Sequence, residues 1–525
     1  MRLKAHALTG RLAPSAIGRI KPSGLPMPPG AYLMRNKLVA VALLAAASAH
    51  ADPSVLTYHG ALDRAGRYVA PGLTYDRARG LRLDTSFHAA FEGKVYAQPL
   101  LWRPRGSGKG ELIVATEDNE VFALDARSGA ERWKRALGPP VPESALPCGN
   151  ISPLGVTGAP VIDEQRATLY LDAAVMRANR PRHEIFALSL SDGSIEPGWP
   201  LDVATALGGS FDPSVQNQRG ALALFAGKVF VPFSGHYGDC GAYHGLVVGV
   251  SIDAPGKVAS FSTRARGGGI WAQGGVSGDG QSLFAVTGNT KGVMERLGLA
   301  GWGDGEAVFR LSPDLVHPTD ARDYFAPTDW RDLDRRDLDL GGTAAIPLDV
   351  ASANGARKLI LAVGKTGEAY LLDRDNLGGV GGALASASVT TNVAITSPAV
   401  WNAPDGVFVA LQGDGAHCPS DKPGKGLIAL KIRADPRASI ETAWCASVDG
   451  RGAPIVTTTD GRSDAIVWMV GAEGDNRLHA FKGDDGEPLA TPPETMRGLH
   501  HFQTLIAAED RLYVAADGTI YAFEY

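Results

Sequence analysis

The sequence predicts an all-β protein, an eight-bladed β-propeller built from four-stranded antiparallel blades. The first observation is composition: the 525 residues include 65 Gly and 34 Pro, and only 20% are charged. Such a chain suits many tight turns and excludes a coiled coil or a highly charged disordered protein. The second is a repeat of about 57 residues, because a short strand ends in a similar tetrad eight times: FALD at 122, FALS at 186, VGVS at 248, FRLS at 309, YLLD at 370, IALK at 428, HAFK at 479 and YAFE at 521. Units of three or four strands repeated in this way are typical of a propeller.

The two ends of the repeat region predict how the ring closes. The last unit supplies three strands before the chain stops at Tyr525, and the segment LRLDTSFHAAF (81–91) precedes the first full unit. We expect this N-terminal segment to complete the last blade, because closure removes an exposed sheet edge. Seven blades is the alternative if the degenerate fifth unit (344–391) is not a blade. Residues 52–525 are therefore expected to form a single propeller domain.

Residues 1–51 are expected to direct export of the protein and not to form part of the propeller. The apolar run LVAVALLAAA (38–47) is too short to span a bilayer. Basic residues Arg35 and Lys37 precede it and the triplet AHA (49–51) follows, which is the pattern of a cleaved signal peptide over 34–51. Residues 1–33 have no usable period and are expected to be disordered or to precede the true start at Met34. We therefore expect a periplasmic or secreted protein without a membrane span.

Charge narrows the choice of partners. The chain carries 51 Lys and Arg against 56 Asp and Glu. Residues 1–51 hold seven of the basic residues and no acidic residue. Residues 52–525 therefore carry 51 − 7 = 44 basic residues against 56 acidic ones, which is a net charge of −12. Phosphate binding needs clustered Lys and Arg, so nucleic acid and anionic lipid are excluded as partners. We expect a monomer that binds a protein, a glycan or a small molecule.

The first unit contains the most specific local motif, ALDARSGAERW (123–133). Asp125, Ser128 and Gly129 predict a hydrogen-bonded turn, and Trp133 is expected to pack between blades. The motif resembles the tryptophan-docking repeat of quinoproteins, with Ser in place of Thr. Other units keep only fragments, Ala187 with Gly193 and Ala480 with Gly486.

A wider resemblance is to secreted bacterial proteins with pyrroloquinoline-quinone-like (PQQ-like) propeller repeats, in the quinoprotein alcohol dehydrogenase-like superfamily. It covers nearly all of 52–525, through the segments VLTYHGALDRAG (55–66), VYAQPL (95–100), CGNISPLGVTGAPVID (148–163), GHYGDCGAYHG (235–245), GGIW (268–271), TGN (287–289), DLDLGG (337–342) and GKTGEAYLLDR (364–374). The resemblance implies the fold; it implies little chemistry, because the role of these proteins is mostly unassigned.

One face of the predicted ring carries the long loops, and we call it the decorated face. Loops on a rigid scaffold are where binding residues concentrate. Loops between second and third strands lie on the same face as the connections between blades. The candidate binding residues on this face are His59, His236, Asp239, Tyr243, His244, His417 and Asp475. His236, Asp239 and His244 could bind a transition metal or act as acid and base, but their spacing is no recognised ligand motif, so structural roles are favoured.

The four cysteines are expected to form two disulfides, because an exported chain permits them. Cys148 and Cys240 both fall on the decorated face, whereas Cys418 and Cys445 both fall in the sixth unit. We therefore pair 148 with 240 and 418 with 445, one of three connectivities. Four free thiols are the alternative.

A quinone site is the second functional hypothesis. Candidate cofactor-binding residues are Glu117, Asp118, Trp271, Asn289 and Lys365, with Trp271 stacked on the quinone and acidic loops holding Ca²⁺. Two observations oppose it: the chain lacks adjacent cysteines and a Cys-x-x-Cys-His haem motif. The aspartates of RDLDRRDLDLGG (331–342) lack EF-hand spacing and alternate with Arg, so that segment is expected to be a solvated loop.

The sequence thus favours an exported binding scaffold that uses its decorated face. The alternative is a PQQ- and Ca²⁺-dependent dehydrogenase acting on alcohols or sugars. A lyase or hydrolase using the loop of His236 and His244 comes third. No catalytic residue and no metal ligand is assigned from the sequence.

Overall fold

The computed structural model describes residues 54–104, 109–291, 301–403 and 406–525. Eight sheets follow one another along the chain, which confirms the eight-bladed propeller. Within each blade successive strands pair antiparallel. The predicted signal peptide (34–51) and residues 1–33 lie outside the described residues.

The first four blades span residues 100–326. Blade 1 contains Leu100–Trp102, Glu111–Ala115, Glu120–Asp125 and Glu131–Ala136. Blade 2 contains Val161–Asp163, Thr168–Arg177, Arg180–Ser189 and Leu201–Asp202. Blade 3 contains Ala223–Phe225 as its first strand, then Lys228–Gly235, Leu246–Ser251 and Val258–Ser262, and the two-residue strand Gln216–Asn217 pairs with the end of Lys228–Gly235. Blade 4 contains Ser277–Gly278, Leu283–Val286, Val308–Leu311 and Tyr324–Ala326, with Gly379–Val380 added in parallel at its outer edge.

The last four blades span residues 346–524. Blade 5 contains Ile346–Ser352, Gly355–Val363, Glu368–Asp373 and Ala385–Ser388. Blade 6 contains Ala399–Ala403, Gly406–Gln412, Gly426–Arg433 and Ser439–Ser447. Blade 7 contains Ile455–Thr458, Ile466–Val470, Leu478–Lys482 and Pro488–Ala490. Blade 8 contains Leu505–Ala508, Arg511–Ala516 and Thr519–Glu524.

Short elements connect the blades. A two-stranded sheet pairs Arg266–Gly267 with Thr290–Lys291. The α-helices are Tyr75–Arg79, Val203–Ala206 and Trp330–Arg336, and the 3₁₀ helices are Tyr58–Gly60, Glu143–Ala145, Ala321–Asp323 and Leu340–Gly342. Among the residues described, no helix is both long and apolar enough to span a membrane.

The N-terminal segment closes the ring as predicted. Arg82–Leu83 pairs antiparallel with Phe523 and Glu524 of the last strand, and Ala89–Ala90 pairs with Thr519 and Ile520. Blade 8 is therefore assembled from both ends of the described chain. A hydrophobic cluster joins this blade to blades 7 and 1, so the ring is continuous in its core as well as in its backbone.

Apolar side chains pack between consecutive blades. Separate buried clusters join blades 1 and 2, 2 and 3, 3 and 4, 4 and 5, 5 and 6, and 6 and 7. The indole N–H of Trp133 in blade 1 donates to the Leu190 carbonyl of blade 2 at 2.9 Å. A Cβ at Gly193 would lie 2.6 Å from that ring, so only glycine fits there. Trp133 docks between blades as the sequence motif predicts.

Residues 54–69, here called the central segment, run through the middle of the ring. Val55 pairs with Leu101 of blade 1, and Arg67–Val69 pairs in parallel with the first strand of blade 7. Backbone carbonyls of the segment accept N–H groups from four other positions on first strands or just before them, in blades 2, 4, 6 and 7: Ile162, Gly278, Val400 and Val456. The sequence analysis did not predict this plug.

Arg64 fastens the central segment from inside. Its guanidinium is fully buried and donates to Thr57 Oγ1 at 2.6 Å and to the carbonyls of Leu222 and Val276, each at 2.8 Å. These two carbonyls precede the strands of blades 3 and 4. One side chain therefore ties the plug to two neighbouring blades, and it satisfies backbone acceptors that water does not reach.

We expect Arg64→Met to lower the free energy of unfolding by about 3 kcal/mol, because two buried carbonyls lose their donor. Urea unfolding followed by tryptophan fluorescence measures this change. The matched control is Arg67→Met: the Arg67 side chain is 45% exposed and its one ion pair among the described residues is with Asp63, so a loss below about 1 kcal/mol is expected. Equal losses in the two variants would contradict the role given to Arg64.

Candidate functional site

A cavity of about 760 Å³ lies on the ring axis. It is lined by residues that precede the first strands of blades 2 to 8 and by loops between second and third strands. Because only the axis of the ring adjoins so many blades, the cavity lies there. We call it the axial cavity; its walls are formed by Asn150, Arg219, residues 234–239, Tyr243, Gly269, Trp271, Asn289, Asp337, Asp339, Lys365, Val393, Ile395, Arg451, His501 and Phe502. The central segment lies beneath it, since first strands run away from the cavity and pair with that segment.

Asp339 is the most heavily bonded group of the cavity wall. One carboxylate oxygen accepts the backbone N–H of Asn289 at 2.8 Å. The other accepts the indole N–H of Trp271 at 2.9 Å and lies 2.7 Å from Lys365 Nζ. Three donors on one carboxylate therefore fix its position in the cavity wall.

Lys365 joins this carboxylate to an aromatic face. Its ammonium lies 5.1 Å from the centre of the Trp271 ring and 3.2 Å from a carboxylate oxygen of Asp337. Burial by itself lowers the pKa of Lys365, but the Asp339 and Asp337 carboxylates raise it above its ordinary value. Lys365 is therefore a fixed positive charge in the cavity wall.

A neutral acid supports Asp339 from behind. Glu306 is fully buried and accepts the backbone N–H of Leu340, the residue after Asp339. Burial, with the nearby Asp339 carboxylate, raises the pKa of Glu306 to about 9. Burial also raises the pKa of the adjacent Asp334 to about 6, against the opposing effect of hydrogen bonds from Thr290. At neutral pH Glu306 is therefore protonated and adds no charge beside Asp339.

A different stretch of the wall is basic. Arg219 and Arg451 line the cavity, and the Arg219 guanidinium lies 5.8 Å from the centre of the Phe502 ring. His236 is 3% exposed, and its Nε2 atom has no hydrogen-bond partner among the described residues. Burial lowers the pKa of His236 to about 4, so its imidazole is neutral at physiological pH.

Six residues singled out from the sequence meet at this cavity. Three of the five candidates for cofactor binding lie together in the wall: Trp271, Asn289 and Lys365. His236, Asp239 and Tyr243, candidates from the decorated face, lie on the loop of blade 3, and the Tyr243 hydroxyl donates to Asp239 at 2.6 Å. The structure places the two sets in one cavity.

The other candidates lie elsewhere. His59 is in the central segment, fully buried and stacked on Tyr58, so it is not on the decorated face. Glu117 is fully buried, and Asp118 beside it does not line the cavity. His244 is half-buried with Nδ1 2.9 Å from the Thr263 carbonyl, and His417 is exposed. Asp475 pairs with His479 at 2.9 Å.

The sequence analysis missed Asp339, Arg219, Arg451 and His501. The segment 331–342 was expected to be a solvated loop, but this holds only for its first half: Asp332 pairs on the surface with Arg335 and Arg336 in a helix, whereas Asp339 beyond the helix is 3% exposed. The other three residues share a position in the repeat that could have identified them. Arg219, Arg451 and His501 each stand four residues before a first strand, at Ala223, Ile455 and Leu505.

Both predicted disulfides are present, Cys148–Cys240 and Cys418–Cys445. The first joins the connection between blades 1 and 2 to the loop of blade 3 that supplies residues 234–239 to the cavity. The second lies within blade 6, away from the cavity lining. The first bridge therefore holds one cavity wall in place.

We expect the double substitution of Cys148 and Cys240 by Ser to raise amide exchange in residues 234–243 roughly tenfold, because the loop loses its covalent anchor. Hydrogen–deuterium exchange with mass spectrometry measures this change. The control is the same double substitution at Cys418 and Cys445, which should leave exchange in 234–243 unchanged. Equal exchange in both variants would show that the loop is held by other contacts.

Glu117 predicts a pH dependence of stability. Burial raises its pKa to about 7, against the opposing effect of the Gly155 N–H, which donates to it at 2.7 Å. A carboxyl with a raised pKa in the folded state destabilises the fold as pH rises from its unfolded value near 4.5 to about 7. The free energy of unfolding of the wild type should therefore decline as pH rises, and we expect Glu117→Gln to make this decline smaller by about 3 kcal/mol. Urea unfolding at pH 5, 6, 7 and 8 measures the difference. Parallel curves for the variant and the wild type would contradict it.

Comparisons with known proteins show which solved structures have a similar fold. No family model matches the chain, and no curated protein matches it in sequence. Solved structures do match: a quinohemoprotein alcohol dehydrogenase from Comamonas testosteroni (16% identity, TM-score 0.62, 90% of this chain and 80% of that chain), the quinohemoprotein alcohol dehydrogenase ADHIIG from Pseudomonas putida HK5 (15%, 0.63, 90% and 80%) and a europium-containing methanol dehydrogenase (14%, 0.61, 90% and 98%). At these identities the likeness concerns the fold alone. The chain has the fold of a PQQ-like β-propeller.

Proposed function

We propose that this protein is an exported oxidoreductase that binds pyrroloquinoline quinone in the axial cavity and oxidises an alcohol there. The observation that carries the proposal is the Asp339 carboxylate, fixed in the wall of an axial cavity by Trp271, Asn289 and Lys365. The similar solved structures support this choice, because two are named quinohemoprotein alcohol dehydrogenases and one a methanol dehydrogenase. The two disulfides support export, since such bonds persist in oxidising compartments.

The donor set fits a quinone. The cofactor is a flat ring with three carboxylates and two adjacent carbonyl oxygens, and the cavity offers an indole face, three cationic side chains and the unpartnered Nε2 of the buried His236. Its volume of about 760 Å³ lies within the range of small-molecule sites. Trp271 is fixed by its hydrogen bond to Asp339 and presents its ring beside Lys365.

The fit to calcium is poorer. Calcium takes six to eight oxygen ligands, and the described residues contain no group of three or more His, Cys, Asp or Glu side chains placed to hold a metal. Both oxygens of Asp339 already accept hydrogen bonds, and Lys365 lies where a cation would approach. Asn289, Asp337 and Asp339 would become calcium ligands only if Lys365 moved, so we assign no step to the ion.

The mechanism follows from the wall residues. A bound quinone supplies the acceptor for the hydride that leaves the alcohol carbon. Asp339 accepts the proton of the substrate hydroxyl, so the alcohol becomes an aldehyde or ketone and charge is balanced. Lys365, held beside the Trp271 ring, would offer an N–H to a carbonyl oxygen of the quinone, and its positive charge would favour the electron-rich product. Glu306, neutral behind Asp339, adds no competing charge.

A binding scaffold without catalysis, the main expectation from the sequence, is the second candidate. The ion pair between Lys365 and Asp339 favours it, because it occupies the base with an internal partner. Under that alternative the axial cavity binds a ligand and Asp339 shapes its wall.

The first test is titration of the purified protein with pyrroloquinoline quinone, with and without Ca²⁺, by calorimetry and visible absorbance. We expect binding at micromolar or tighter concentrations, about −8 kcal/mol. Turnover is then measured with primary alcohols and an artificial electron acceptor. Tight binding without turnover would favour the scaffold, and absence of both heat and spectral change would remove the quinone.

The second test is Asp339→Asn. We expect kcat to fall by about 10²- to 10⁴-fold, because the proton acceptor is lost, while the quinone dissociation constant changes little. Asp332→Asn is the matched control, since its carboxylate is 42% exposed in the same segment and pairs on the surface with Arg335 and Arg336. A variant at Asp339 that keeps full turnover would exclude it as the base. Circular dichroism checks that both variants fold.

A further inference from the structure

Two arginines of the axial cavity have no counter-ion among the described residues. Arg219 and Arg451 both line the cavity, yet neither has a salt bridge or a side-chain hydrogen bond within the described ranges. The lysine of that lining, Lys365, is by contrast paired with two carboxylates. A guanidinium carries five donors, and the half-buried Arg219 pays a desolvation cost because it faces the cavity without an acceptor. Arg451 is exposed at the cavity rim, where its donors are open to a ligand. Both groups are therefore available to an anionic partner.

The two arginines lie around one aromatic ring. The Arg219 guanidinium is 5.8 Å from the centre of the Phe502 ring, and the Phe502 N–H donates to the Arg451 carbonyl at 2.9 Å. Phe502 is itself 6% exposed and lines the cavity. Arg219 comes from blade 3, Arg451 precedes blade 7 and Phe502 precedes blade 8, so ring closure assembles them.

A third donor is available on the same side. His236 is buried, lines the cavity and has no partner for Nε2 among the described residues. His236 and Arg219 line the same cavity, and the charge of Arg219 contributes to the lowered pKa of His236. Within the described residues no salt bridge or hydrogen bond joins Arg219 to Glu117, the carboxyl whose charge acts on it. The neutral imidazole can donate a hydrogen bond to an anion without adding charge.

We propose that Arg219, Arg451 and His236 form a carboxylate-binding subsite of the axial cavity. A planar guanidinium binds a carboxylate through two parallel hydrogen bonds, which makes arginine the usual residue for this task. The apolar surfaces of Phe502, Val393 and Ile395 nearby suit the carbon skeleton of an organic acid, not an inorganic anion. The subsite deepens the proposed function and rests on it only for the identity of the ligand.

The carboxylate has two sources under this proposal. It belongs either to the quinone, which carries three, or to a hydroxy acid that serves as the alcohol substrate. Both use the same chemistry at Arg219 and Arg451, so separate ligands must distinguish them.

The experiment measures binding without requiring turnover. Wild type, Arg219→Gln and Arg451→Gln are titrated by calorimetry with benzene-1,3,5-tricarboxylate, a flat and redox-inactive probe, and with mandelate. The neutral diol 1-phenylethane-1,2-diol has nearly the same shape as mandelate and serves as the ligand control. We expect each variant to bind at least one of the two acids about 10- to 100-fold more weakly, with no change for the diol.

The variants have their own controls. Arg335→Gln removes a surface guanidinium whose side chain is 76% exposed and should bind all ligands as the wild type does. Arg451 is exposed at the cavity rim, so Arg451→Gln remains informative if Arg219→Gln fails to fold. Wild-type affinity for both acids in the folded Arg219 and Arg451 variants would overturn the subsite. Displacement of the probe by sulfate at equal concentration would also overturn it, in favour of an inorganic anion.

Titration with pyrroloquinoline quinone then identifies the source. Weaker binding of the quinone, with mandelate unaffected, assigns the carboxylate to the cofactor; the reverse assigns it to the substrate. Quinone binding that is intact in both variants, with no acid binding in any protein, would remove the subsite and leave the proposed function. Binding of the tricarboxylate by a wild type that ignores the quinone would leave the subsite and remove the proposed cofactor.

Discussion

Closure of the ring is the constraint on which the rest of the structure depends. The pairing of Arg82–Leu83 with the last strand completes blade 8, and the cluster that joins blades 7, 8 and 1 buries the seam. The axial cavity exists only in the closed ring, because its walls come from connections into seven blades. The central segment adds a second requirement, since it fills the middle of the ring and Arg64 bonds it to blades 3 and 4.

The cavity separates two kinds of charge. At one place in its wall a carboxylate, an ammonium and an indole are bonded to each other, with a neutral acid behind them. Elsewhere in the wall the guanidinium groups of Arg219 and Arg451 face the cavity without a counter-ion among the described residues. Internal pairing fixes the first group and leaves the second available to a ligand. This asymmetry gives an anionic ligand a basic part of the wall to contact, apart from the carboxylate of Asp339.

Much of the fold could be predicted from the sequence, whereas little of the cavity could. The tetrads and the tryptophan-docking motif are local patterns, so they identify blades and the packing of Trp133 on Gly193 directly. Asp339 was hidden because its neighbours Asp332, Arg335 and Arg336 form a surface helix whose charges dominate the segment. His59 was misleading in the opposite way: a histidine near the N-terminus gives no sign that its segment is threaded through a ring.

By itself the sequence favoured eight blades over seven, the closing strand and one of three pairings of the four cysteines, because each depends on repeat spacing or on position within a repeat; the structure confirms all three. Tertiary structure decided which polar residues meet. Arg219, Asp339 and Arg451 are separated by more than a hundred residues along the chain, and only closure of eight blades around the central segment brings them to one axis. Proximity across a ring is a property of its geometry, and no local pattern records it.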